Sequence, residues 1–305
     1  MATTAAPPVH RLAPVLAVAS EHGFAVGSFA PRYTAMIRPI LRAGQKLASP
    51  LIVQISQREM QRYGITPGEF GEAFREAMVA DAPTVPVVLH LDHTFELEVI
   101  DAAIDAGFTS VMMDGSARPF EENVAVSREA AELAHRRGVS IEAELGKIGT
   151  TDYVETEKDE ELYTDPDEAA DFVSRTGVDA LAVSVGTAHG AYTVRQPTID
   201  YARLERIRAR TGVHLVLHGG SGVPAEMIQR AVRLPGGGIS KVNIATDLEE
   251  ALLAALGRTE RMTNAECEAL APAERRRAEE AVERTVAEKI RAFLLSEKKA
   301  PLFAA

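Results

Sequence analysis

Eight short apolar runs, each followed by a segment with helical spacing, constrain this chain more than any other feature. The runs cover residues 25–29, 51–55, 87–95, 110–113, 140–145, 180–184, 214–217 and 239–243 and are rich in Val, Ile and Leu. Runs of that length fit strands buried on both faces. Between them the spacing predicts helices over 36–47, from Thr66-Pro67 onward, and over 97–106, 120–137, 167–176, 201–210 and 224–233. Strands and helices alternating across short turns are the unit of a parallel sheet. Eight units fit a closed (β/α)8 TIM barrel of the α/β class better than an open doubly wound sheet, and a barrel gathers its chemistry at the C-terminal strand ends. A further helix, 12–21, precedes the first strand, and beyond Gly257 the pattern is purely helical, with a long segment over 272–295. The expectation is one barrel domain over 1–305, with 258–305 a helical C-terminal extension that packs on the barrel or reaches a partner subunit.

The chain has 305 residues, 46% of them hydrophobic, enough for such a core. Its formal charge of -11 offers no basic footprint, so no nucleic-acid partner is expected. No apolar stretch is long enough to span a membrane. The leader MATTAAPPVHRLAP lacks a hydrophobic core and a processing site, and a single cysteine, Cys267, excludes an intrachain disulfide framework. A cytoplasmic protein is expected, with Cys267 a bystander.

Three of the apolar runs end in histidine. VVLHLDHTF carries His90, Asp92 and His93; LAVSVGTAHG ends at His189; LVLHGGSG presents His218. Three imidazoles at three strand ends supply the few nitrogen ligands that Zn²⁺ takes at a catalytic site with one open position. In an extended segment His90 and Asp92 share one side while His93 faces the other, unless the strand has turned. His90 lies near the strand interior, and His10, His22, His135 and His214 suit surface or packing roles. Asp92 is either an acid/base beside the metal or an orienter of a ligand histidine. Asp114 and Glu144 close strands in the same way and either hold the metal in an alternative position or orient its ligands.

A second constellation suits an anion. Gly219-Gly220-Ser221-Gly222 follows the seventh run and Asn243-Ile244-Ala245-Thr246 the eighth. Glycine-rich turns expose backbone N–H groups, Ser221 and Thr246 add hydroxyls, and a helix N-terminus adds its dipole, at the place where barrels frequently bind phosphate. A metal beside a phosphate grip suggests carbanion chemistry on a phosphorylated ketone. The acidic segment 146–165 interrupts the alternation and reads as a solvated loop, a lid over the pocket, or both.

With these motifs in hand, the chain resembles the class II, metal-dependent ketose-bisphosphate aldolases. The likeness runs through HLDH, GFTSVMMDGSxxPFEENV, VSIEAELGxIG, YTDPDEA, TGVDALAVSVGTAHGAY, VLHGGSGVP and KVNIAT. It implies that His93, His189 and His218 bind zinc, that Asp92 handles the substrate hydroxyl proton, and that GGSG and NIAT hold the phosphate of dihydroxyacetone phosphate. It also implies that Asn243 touches the dihydroxyacetone part and that a monovalent cation, Na⁺ or K⁺, sits near Gly190. The implied substrate is a small phosphorylated sugar: fructose 1,6-bisphosphate, or alternatively tagatose 1,6-bisphosphate or another ketose phosphate. A metal-dependent hydrolase, a phosphate-binding barrel without catalysis and a structural oligomer-former are the readings outside the class.

The chain departs from the family pattern in four places. Phe29-Ala30-Pro31 stands where Phe-Asn is usual, and Thr193 where many members have Lys. The loop glutamate is replaced by Asp152, to which we assign protonation of C3. No closing arginine matches in the C-terminal helix, although residues 275–277 are a run of three. The helical tail and the unmatched arginine together suggest a homodimer or larger homo-oligomer.

Overall fold

A computed structural model describes residues 9–148, 162–190, 192 and 196–303. Eight parallel strands close on themselves in sequence order: β1 Val26–Phe29, β2 Leu51–Ser56, β3 Val87–Thr94, β4 Ser110–Met113, β5 Ser140–Leu145, β6 Ala180–Val183, β7 His214–Leu217 and β8 Ile239–Ile244, with β8 pairing back to β1. In chain order the helices are α1 Leu12–Glu21, α2 Ile37–Lys46, α3 Gln57–Tyr63, α4 Pro67–Asp81, α5 Leu97–Asp105, α6 Phe120–Arg136, α7 Pro166–Thr176, α8 Tyr201–Arg210, α9 Ala225–Val232, α10 Thr246–Leu256, α11 Asn264–Glu268 and α12 Pro272–Glu288. The expected TIM barrel with added C-terminal helices is present, its boundaries within a residue or two of the sequence reading.

Helix α3 was not anticipated. Its signal is nonetheless legible, because Ser56 and Glu59 form a reciprocal capping box at its start. Thr66 and Glu69 do the same for α4, with Pro67 at the first turn.

The extension after Gly257 folds back on its own barrel. Helix α12 ties to α2 through Arg42, which bonds Glu279 at 2.9 Å and Glu283 at 3.1 Å. The chain then runs to the opposite mouth, where Lys298 N donates to Leu47 O and Ala300 N to Ala48 O, both at 2.8 Å.

The barrel interior is layered. At the N-terminal mouth α1 inserts Leu12, Val15, Leu16 and Ala19 against Val26, Ile52, Val88, Met112, Ala182 and Val216, all buried. Above this plug inward positions become polar: Ser28, Gln54, His90, Glu142 and Lys241 are at most 1% exposed. TIM-barrel interiors are ordinarily filled by Val, Ile and Leu. A polar middle layer therefore marks where the molecule departs from a purely structural core.

Candidate active site

The three strand-end histidines meet. Ring centroids of His93 and His218 are 4.5 Å apart, of His93 and His189 4.9 Å, and of His189 and His218 5.7 Å. Their ligand atoms fall within 4.8 Å of one another. His93 reaches this cluster because β3 is bulged: the pairing with β4 shifts register between Leu91 and Thr94, and His93 has a left-handed φ of 31°. A bulge places two consecutive side chains on one side of the ladder. Asp92 and His93 can then both face the mouth.

Two of the three imidazoles, those of His93 and His218, are oriented by carboxylates. Asp114 Oδ2 lies 2.8 Å from His93 Nδ1, and Asp114 is itself held by the Ser116 hydroxyl and backbone N–H. Glu142 Oε1 lies 2.9 Å from His218 Nε2. A carboxylate accepting from one ring nitrogen leaves the other with its lone pair. Those other nitrogens, His93 Nε2 and His218 Nδ1, are buried without a hydrogen-bond partner, as is Glu144 Oε2, 3.4 Å from His218 Nδ1. Orphaned buried acceptors are costly. Three of them at one point suit a metal ion, so the donor set fits zinc.

The electrostatics agree. Burial alone would depress the His93 imidazole, but Asp92, Asp114 and Glu144 outweigh it and lift it to about 10. Burial, then repulsion from His93 and His218, pushes His189 down to about 3. Burial and the neighbouring Asp114 raise Glu144. The carboxylates thus create a place that retains a cation, be it a proton or a metal.

Asp92 is 5% exposed at the cleft floor. Gln54 Nε2 donates to its Oδ2 at 3.0 Å, and Asn243 Nδ2 to both oxygens at 3.0 and 3.2 Å. Burial opposes its charge, yet His93, His90 and Lys241 hold its carboxyl well below the usual range. Asn243 Oδ1 is a further buried atom without a partner.

The glycine-rich turn after β7 and the turn after β8 open onto the same cleft. Gly219 adopts φ 67°, and a Cβ there would lie 2.3 Å from Ala188 O, so only glycine fits. Ser221 Oγ accepts from Ala245 N and Asp247 N, both at 3.3 Å, at the start of α10, which leaves its proton to donate outward. Gly190, Gly219, Ser221, Asn243, Ala245 and Thr246 all line one cleft of about 670 Å³ with Asp92, His93 and His189. Gly220 stands behind it, its N–H committed to Asn243 O at 3.1 Å.

Several cleft residues escaped the sequence reading. Gln54, Ser56 and the arginines Arg32, Arg58, Arg62 and Arg261 line the side toward β1 and β2. Arg32 is buried at φ 61°; it pairs with Glu249 and donates to Tyr63 Oη at 3.2 Å. Arg275 and Arg277, near which a closing arginine was sought, instead bond the carbonyls of Glu268 and Ala255. The signal for Gln54 was its place on the inward alternation of β2; arginines on helices and loops carry no such periodicity. Asp152 and Thr193 lie outside the described residues. The ends of the 146–165 segment meet at the cleft rim, where Lys147 N donates to Leu162 O at 2.7 Å and Lys147 and Ile148 line the cleft.

Comparison with known proteins agrees with this geometry. Residues 10–298 match the family model "Fructose-bisphosphate aldolase class-II". A fructose-bisphosphate aldolase of Geobacillus stearothermophilus is 43% identical over 226 residues, covering 73% of this chain and 76% of that protein. Among solved structures, the YdjI aldolase of Escherichia coli K12 superposes with a TM-score of 0.81 at 32% identity, covering 96% of this chain and 100% of that one. A putative fructose-1,6-bisphosphate aldolase from Coccidioides immitis superposes at 0.79 with 29% identity, covering 95% and 98%.

Proposed function

Because this chain belongs to the class-II fructose-bisphosphate aldolase family, we propose that it cleaves fructose 1,6-bisphosphate reversibly to dihydroxyacetone phosphate and glyceraldehyde 3-phosphate, with one zinc ion held by His93 Nε2, His218 Nδ1 and His189. The observation that carries this reading is the convergence of three orphaned buried acceptors beside a phosphate-sized grip. When bound, zinc polarises the C2 carbonyl and so favours negative charge at C3. Asp114 and Glu144 orient the ligands and offer an alternative position for the ion.

The chain's own residues supply the remainder. Ser221, Thr246 and the backbone around Gly219 and Ala245 hold the C1 phosphate, with a monovalent cation near Gly190. Asn243 positions the dihydroxyacetone half. Asp92, pinned by Gln54 and Asn243, accepts the C4 hydroxyl proton as the C3–C4 bond breaks and the aldehyde leaves. C3 then takes a proton, a step assigned to Asp152. Arg58 and Arg62, one helical turn apart on α3 and without an ion pair among the described residues, face the C6 phosphate. The buried thiol of Cys267, pushed up to about 12 mainly by burial, suits a reducing cytoplasm. We place there a homodimer or larger homo-oligomer, a state light scattering measures.

The test is release of dihydroxyacetone phosphate from fructose 1,6-bisphosphate, with its tagatose epimer as comparison, before and after chelation. Cleavage at full rate by exhaustively chelated enzyme refutes the reading. For Asp152, exchange of the C3 proton of dihydroxyacetone phosphate in deuterated water slows in Asp152→Ala while zinc is retained; exchange at the parent rate moves the donor elsewhere.

A further inference from the structure

Beneath the three imidazoles lies a second set of candidate ligands. His90, Asp92 and Glu142 each offer one atom, all within 4.8 Å of one another, and all three residues are buried. One imidazole and two carboxylates make a donor set for a divalent ion. A cation is already there. Lys241 Nζ lies 2.8 Å from Glu142 Oε2, 3.4 Å from His90 Nε2 and 3.9 Å from Asp92 Oδ1. Lys241 is fully buried, comes from β8 two residues before Asn243, and does not line the cleft.

A buried lysine–carboxylate pair seldom stabilises a fold more than apolar residues of the same volume. Its place in this barrel has a geometric use instead. Glu142 divides its two oxygens, Oε2 toward Lys241 and Oε1 toward His218 Nε2 at 2.9 Å. The second bond decides that His218 turns Nδ1 toward His93 and Glu144. His90 is fixed from its other side by Ser110 Oγ, 2.7 Å from Nδ1, which leaves Nε2 to face the ammonium. Asp92 is held by Asn243 and Gln54, with the Lys241 ammonium 3.9 Å from its Oδ1.

We propose that Lys241 is a positioning residue whose ammonium occupies what would otherwise be a second metal site, locking Glu142 against His218 and limiting the protein to one metal ion. This rests on His93, His189 and His218 being the metal ligands. Were that reading wrong, the parent protein itself would carry no zinc, a result distinct from any failure below.

Removing the ammonium should let an ion in. Lys241→Ala and the parent are dialysed together against the same buffered zinc solution and their metal counted by mass spectrometry. The variant is expected to hold one zinc equivalent more than the parent, and Lys241→Ala/Glu142→Gln to return to the parent's count. Lys241→Met/Glu142→Gln keeps volume and charge balance but frees residue 142 to turn. Its zinc affinity is expected to fall at least about tenfold, with KM within about twofold because neither residue lines the cleft. An unchanged count in Lys241→Ala, or extra zinc that survives Glu142→Gln, overturns the proposal. So does a Met/Gln variant with parental zinc affinity, and that variant decides alone if Lys241→Ala does not fold.

Discussion

The two halves of the barrel interior obey different rules. Around the N-terminal mouth, Leu12, Leu16, Ile52, Val88 and Val216 pack without a polar group among them. A few ångströms along the same strands, His90, Asp92, Glu142, Glu144, His218 and Lys241 are equally buried but charged or titratable. The lower half gains free energy by leaving water. The upper half loses it unless every group finds a partner, and four unpartnered atoms, on His93, Glu144, His218 and Asn243, belong to residues there. The apolar plug and the polar layer beyond it thus divide the barrel interior.

Substitutions in the upper half should therefore abolish chemistry first. His218→Ala is expected to remove zinc and to lower kcat/KM by about a thousandfold or more, since a Lewis-acid metal supplies several kcal/mol. Metal analysis beside a coupled cleavage assay measures both. The acidity of the site gives the next effect. In the metal-free site His93 sits at about 10, so below that pH zinc must displace a proton, and affinity falls as pH falls. One released proton corresponds to about a tenfold loss per pH unit, read between pH 6 and 9 with zinc-buffered titrations. Asp114→Asn removes the negative charge beside His93 Nδ1; it should flatten that slope and lower zinc affinity about 10–100-fold at pH 8.

Smaller effects belong to the grip and the plug. Ser221→Ala removes one donor to the phosphate, about 1.5–3 kcal/mol for a charge-assisted bond. The inhibition constant of a phosphorylated enolate mimic should rise by about tenfold or more with zinc content unchanged. An unaltered constant would place the anion elsewhere. Leu16→Ala, in the plug, should have the least effect on catalysis. It should lower unfolding free energy by about 2–5 kcal/mol while kcat and zinc content stay at parental values below the melting transition. A large fall in kcat in the folded variant would end the separation of the two halves.

Much of this was legible in the residues themselves. Short continuous apolar runs alternating with helical spacing allow few topologies, and eight of them close a barrel. His93, His189 and His218 stood out because a polar residue ending an apolar strand is conspicuous, and GGSG because a glycine-rich turn after a strand exposes backbone N–H groups. Three-dimensional contact decided the remainder. Residues 90, 142 and 241 lie far apart in sequence, and only closure of β3, β5 and β8 around one axis brings an imidazole, a carboxylate and an ammonium together. The aim of His93 rests on a single left-handed residue in a bulge, which a strand's alternation conceals. The arginines that face the cleft come from α3 and from the turns after β1 and α10. Their side chains are long and their segments irregular, so no spacing announced them. Local periodicity specifies the barrel because it acts between near neighbours; the charge pattern within it is set by packing between strands that the chain joins only through folding.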